Sequence, residues 1–270
     1  MTSLTPGDVL PLPRHRVHLG AIDIDDVTFS EAIDAILALV DRREGGTVLT
    51  PNVDHLVLVE DDPRLREAYE GASLCLVDGT PVLWASRLLG TPLREKVSGS
   101  DLVLPLMKRA AERGLRVFFL GGAEGVAERA AERLRAIVPR LRVVGVDATR
   151  VELPPGAPLD EALIARVNAA RPDLVLVALG CPKQEIFMHA AASALRPAVM
   201  LGVGASLDFW AGTAQRSPVW ISRAGLEWLY RLAHEPRRLW RRYLVRDPRF
   251  LWILLREIRA RLGRRAATPR

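Results

Sequence analysis

The chain has 270 residues, 49% hydrophobic and 26% charged, which is the composition of a folded soluble protein with a substantial core. Its two cysteines, Cys75 and Cys181, exclude a disulfide framework and suit a reducing cytoplasm, and its longest apolar stretches fall short of the ~18 residues that a membrane span needs. The net charge of +6 is unevenly held: residues 216–270 carry 15 arginines, no lysine and four acidic residues, +11 in all, while residues 1–215 sum to −5.

In chain order, the first feature is DIDD (23–26), an Asp-x-Asp that precedes the first long helix rather than following a buried strand. It reads as a solvated acidic turn. Thr28 and Glu31 have capping-box spacing ahead of the helix SEAIDAILALV (30–40). A strand at TVLT (47–50) is followed by a helix over 62–72, a strand at SLCLV (73–77) and helices over 80–90 and 100–114. Then come RVFFLG (116–121), a helix over 124–138, LRVVGV (141–146), and the loop LPPGAP (153–158). A helix over 159–170, LVLVALG (174–180), a helix over 183–195 and AVMLGVG (198–204) complete the series. Such alternation predicts an α/β fold, a Rossmann-like parallel sheet flanked by helices.

After about residue 215 the pattern is helical only, so two parts are expected: a core over 1–215 and an Arg/Trp-rich appendage over 216–270. In the last helix Leu251, Leu254, Leu255, Ile258 and Leu262 predict one apolar stripe, with Arg249, Arg256, Arg259 and Arg264 mostly on the other side. Arginine, four tryptophans and an amphipathic stripe together suit an anionic membrane surface.

Polar groups collect where the strands end, which in a parallel sheet is one edge and the usual place for a ligand. VLTPN supplies Thr50 and Asn52; LCLVDGTP supplies Asp78 and Gly79; LGCPKQE supplies Lys183 and Gln184; GVGASLD supplies Gly204 and Asp208. Asp78 stands out, because a carboxylate at the mouth of a sheet is partly desolvated and its basicity can rise. The bland reading makes it a cap for the helix beginning near Thr80. The glycine pair in FLGGAEG (119–125) could cradle a phosphate at a helix start, but the full GxGxxG spacing is missing. The five histidines are scattered, with no pair at ligand spacing and no cysteine beside them, so no metal cluster is read from the sequence.

The segments TPN (50–52), VDGTP (77–81), SGSDL (98–102), LGCPKQE (179–185), GVGASLDFWAG (202–212), RSPVW (216–220) and GLEWLYRLAHEPRR (225–238) occur in this order. With them the chain resembles the WecG/TagA/CpsF family of bacterial glycosyltransferases from about Val17 to Tyr243. The resemblance implies a Rossmann-like core with a membrane-associating C-terminal appendage. It implies transfer of a sugar, N-acetylmannosamine being the family's best-known cargo, from a UDP-sugar to an undecaprenyl-diphosphate-linked acceptor. The general base then falls on Asp78, a substrate-positioning threonine on Thr50, and a core-pocket residue on Gln184. Arginines that close over the diphosphate fall on Arg231, Arg238 and Arg241. Pro81, Ala205 and Ser217 depart from the family's DGxG, GVGG and RAP, which bears on the acceptor pocket and the donor sugar.

The expected protein is therefore an inverting glycosyltransferase that needs no metal or other cofactor, lies on the inner face of the cell membrane, and has no nucleic-acid partner. A homo-oligomer is left open. Glucose or glucuronic acid are alternative cargoes. A nicotinamide-dependent oxidoreductase is opposed by the missing GxGxxG, and a single-strand nucleic-acid binder is the other use for a tail of arginine and tryptophan.

Overall fold

The structure, a computed structural model, describes residues 15–267, without the side chains of Val219, Arg223 and 264–267. β1 (Arg16–Leu19) and β2 (Ile22–Asp25) form an antiparallel hairpin, and α1 (Phe29–Arg42) follows. The capping box is present, with Thr28 accepting from the Glu31 N–H and Glu31 from the Thr28 N–H. Next come β3 (Gly46–Leu49), α2 (Val53–Asp61), α3 (Pro63–Glu70), β4 (Leu74–Cys75), α4 (Thr80–Leu88), α5 (Gly99–Glu112), β5 (Arg116–Gly121), α6 (Val126–Ile137) and β6 (Arg142–Asp147). α7 (Glu161–Ala170), β7 (Leu174–Ala178), α8 (Lys183–Ala191), β8 (Val199–Gly202) and α9 (Ser206–Ala211) complete the α/β part.

Strands β3 to β8 make one wholly parallel sheet in the order β4-β3-β8-β7-β5-β6. Helices cover both faces, so the strands are apolar on both sides. Leu174 and Leu176 of β7 face a core built with α1, α5, α6 and α9, while Val175 and Val177 face a second core built with α2, α3, α4, α7, α8 and the hairpin. The expected Rossmann-like sheet is what the chain forms.

Among the described residues the appendage is built of helical segments: α10 (Val219–Arg223), α11 (Glu227–His234), α12 (Pro236–Trp240), a π-helical turn (Arg241–Arg246), a 3₁₀ turn (Asp247–Arg249) and α13 (Phe250–Ala267). Phe250 and Ile253 enter the second core, with Leu254 and Ile258 packed against it. Among the described residues no helix is long and apolar enough to cross a membrane.

Two expectations need correction. DIDD is no solvated turn: Asp25 is 1% exposed within β2, and its carboxylate accepts from Arg16 Nε at 2.8 Å and from the Cys75 N–H at 2.7 Å. The hairpin is thereby pinned to the sheet's edge, because a buried carboxylate needs donors for both oxygens. Nor does α13 have one apolar stripe. Leu254 and Ile258 face the core, whereas Leu251, Trp252, Leu255 and Leu262 are exposed, beside further exposed groups such as Trp84 and Leu88 of α4. The arginines are also only partly free, since Arg249 grips Asp61 and Arg256 grips Glu60, each with two hydrogen bonds.

Candidate active site

The carboxyl ends of β3, β4, β7 and β8 meet at one edge of the sheet. Thr50 Oγ1 donates to the Gly202 carbonyl at 3.3 Å, tying the end of β3 to that of β8. The start of α5 crowds the same spot: a Cβ on Gly99 would lie 3.2 Å from the Gly202 oxygen and 3.4 Å from Thr50 Oγ1. Asn52 caps α2 by accepting from the Asp54 N–H. Gln184 bridges two elements, its Oε1 accepting from the Gly204 N–H at 3.0 Å and its Nε2 donating to Glu185 at 2.8 Å. Its amide is spent on fixing the turn after β8, so it shapes the site's wall.

Asp78 follows β4, with its N–H held by the Pro51 carbonyl at 2.9 Å. Gly79 comes next with φ +102°, a value side-chain-bearing residues rarely adopt, and this turns the chain into α4. The N-cap of α4 is Gly79, with no side-chain hydrogen bond, so the Asp78 carboxylate does not cap the helix. Among the described residues none hydrogen-bonds it. Burial pushes its pKa up to about 6; Glu227 adds to the rise, while Lys96, Arg231 and Arg242 oppose it.

Two cavities open here. The larger, about 760 Å³, is lined by Thr50, Gly122, Lys183, Gln184, Gly204 and Asp208, and receives Arg238 and Arg246 from the appendage. The smaller, about 420 Å³, is lined by Gly79, Pro81, Lys96, Trp228, Tyr243 and Leu251. They share Asn52, Asp78, Glu227, Arg231 and Arg242. Asp78 thus stands where the two spaces meet, so one carboxylate can face two ligands at once.

The appendage is locked to this edge by an ion-pair knot. Asp54, in the first turn of α2 and nearly fully buried, faces Arg242 Nε at 3.2 Å and Arg246 Nε at 2.5 Å. Arg242 also donates to Asn52 Oδ1 at 3.1 Å. Asp247 completes the knot, its carboxyl pushed well above the usual range by burial and by the Asp54 carboxylate. Arg231 leans over the Phe209 ring and lines both cavities, while its buried Nε has no acceptor among the described residues.

A model of the glycosyl transferase WecG/TagA/CpsF family matches residues 17–264. The chain belongs to this family. It is 33% identical over 222 residues to the N-acetylglucosaminyldiphosphoundecaprenol N-acetyl-beta-D-mannosaminyltransferase of Bacillus spizizenii strain W23, covering 82% of this chain and 83% of that one. It is 30% identical over 219 residues to the enzyme of the same name from Bacillus subtilis strain 168, covering 81% and 82%.

As a WecG/TagA/CpsF glycosyltransferase, the chain gathers ten of its eleven sequence-selected positions at these cavities. The exception is Arg241, whose guanidinium lies 5.6 Å from the Trp240 ring centroid, outside both. Its neighbours Arg242 and Arg246, in the same π-helical turn, point instead to Asp54. These two, with Lys96 and Glu227, were not selected from the sequence. The four-residue spacing in RRYLVR was the available signal for the arginine pair.

Proposed function

We propose that this glycosyltransferase moves N-acetylmannosamine from a UDP-sugar to the N-acetylglucosamine of an undecaprenyl-diphosphate-linked acceptor, with inversion, in building a cell-surface polysaccharide. The supporting observation is the position of Asp78 on the wall common to both cavities, with its pKa pushed up to about 6. The donor would occupy the larger cavity and the acceptor sugar would reach Asp78 from the smaller. Asp78 takes the proton of the acceptor hydroxyl while that oxygen attacks the anomeric carbon. The bond from that carbon to the diphosphate breaks, and UDP leaves with the electron pair. Lys183, Arg231 and Arg238, which line the larger cavity, would meet the growing charge, guanidinium forks being well matched to diphosphate oxygens. In this mechanism the charge is met by protein side chains, without a metal or cofactor.

The acceptor's lipid requires the enzyme to sit at the inner membrane surface. Exposed Trp84, Leu88, Trp220, Leu251, Trp252 and Leu255 supply apolar contact, and the arginine-rich tail supplies attraction to anionic headgroups. Glucose and glucuronic acid are the competing cargoes. The test incubates the pure protein with a lipid-diphosphate-GlcNAc acceptor and a panel of UDP-sugars, following UDP release. UDP-N-acetylmannosamine should be preferred, and Asp78→Asn should lower its turnover at least ~10²-fold while UDP binding persists. Near-normal turnover in the variant would remove Asp78 from the chemistry; another preferred sugar would correct the donor.

A further inference from the structure

Cys181 and Glu185 are four residues apart, and the fold brings the distant His55 against them below the larger cavity. His55, Cys181 and Glu185 come from the first turn of α2, the turn after β7 and the first turn of α8. A ring nitrogen, the thiol sulfur and a carboxylate oxygen lie within 4.8 Å of one another. The sequence showed no complete ligand set because His55 joins Cys181 and Glu185 only through the fold of the sheet.

Glu185 is the anomaly. It is 0% exposed, yet its Oε2 has no hydrogen-bond partner among the described residues. Its Oε1 accepts from Gln184 Nε2 at 2.8 Å and faces His55 Nδ1 at 3.9 Å, and the carboxylate also lies against the Cys181 thiol. No lysine or arginine pairs with Glu185 among the described residues. A carboxylate buried in this way is costly unless it is neutralised or coordinates a metal.

We propose that His55, Cys181 and Glu185 form a binding site for a divalent cation of the zinc class in the floor of the larger cavity. Thiolate, imidazole and carboxylate together suit Zn²⁺ or Co²⁺, whereas Mg²⁺ and Ca²⁺ prefer oxygen ligands alone. On binding, the Cys181 proton leaves to solvent and the thiolate and carboxylate charges balance the cation. Both His55 and Cys181 line the cavity, so a fourth, open position faces it. Tetrahedral zinc holds its ligand atoms about 3.3–3.8 Å apart, which asks this cluster to contract by about 1 Å. The Tyr69 hydroxyl, 2.5 Å from His55 Nδ1, holds the ring in place as an outer partner. Glycosyl transfer at Asp78 needs nothing from this site; an occupied site would stiffen the floor by joining α2 to the turn that leads into α8.

The test titrates Co²⁺ into the full chain and reads its absorption spectrum. A near-ultraviolet sulfur-to-cobalt band with visible bands of tetrahedral cobalt should saturate and then bleach on adding Zn²⁺. Cys181→Ser should abolish the sulfur band, Cys75→Ser should leave it intact, and Glu185→Gln should weaken cobalt binding by more than about 10-fold. A wild-type protein without the sulfur band overturns the site, as does a band that survives Cys181→Ser. Because the readout is spectroscopic, neither outcome bears on the transferase assay.

Discussion

In the proposed mechanism the burial that raises the Asp78 carboxyl to about 6 sets the working range of the base. The base must be ionised, so kcat/KM should rise with pH through about 6 and level off above it. A profile already flat well below that point would mean that another group takes the proton. Asp247 has a stability consequence instead. Its folded pKa is raised to about 7, by burial first and then by Asp54, so the folded state holds the proton more tightly than the unfolded chain does. Stability should therefore fall as pH climbs from the usual carboxylate range through about 7, and the loss is complete above that. Asp247→Asn removes this titration, so its Tm should vary less than that of the wild type between about pH 5 and pH 8. Parallel slopes for the two proteins would contradict this account of the knot.

Among the elements, α13 has a double allegiance. Phe250 and Ile253 belong to the second core, while Trp252, 71% exposed, and Leu255 face outward. Cutting away the appendage would expose core residues, so point substitutions are the cleaner probe of the outer face. The double variant Trp252→Ser, Leu255→Ser should keep its Tm yet bind anionic vesicles at least ~10-fold more weakly, since both side chains are lost from the contact. Vesicle binding equal to wild type would place the contact elsewhere. The sequence showed the strands and most helices because burial on both faces leaves unbroken runs such as LVLVALG. It hid α2 and α9, which are short and carry the polar residues of the site. It hid the hairpin for a related reason: Asp25 is a buried carboxylate satisfied from β4, and only tertiary contact separates that from a solvated turn. The strand-end residues were legible because topology fixes the edge they share. Arg242 and Arg246 were not, because their four-residue spacing puts them on one face without saying that the buried Asp54 of α2 waits for them there.

For the whole molecule, the tail's positive charge is partly answered within the chain: Asp54, Asp61 and Glu60 of α2 hold Arg242, Arg246, Arg249 and Arg256. The −5 of the first 215 residues and the +11 of the rest are thus in part halves of one seam. The strand order carries a consequence of another kind. β8 lies between β3 and β7, so the β4-β3 pair and the β7-β5-β6 group are joined only through it. Its partner β3 is paired from Gly46 to Val199, a separation of most of the chain. During synthesis the two groups of strands emerge first and wait with open, apolar edges until Val199–Gly202 leaves the ribosome. Such distant pairing makes folding slow and leaves the nascent protein exposed to wrong partners, with the last strand of the sheet to be made as the one that closes it.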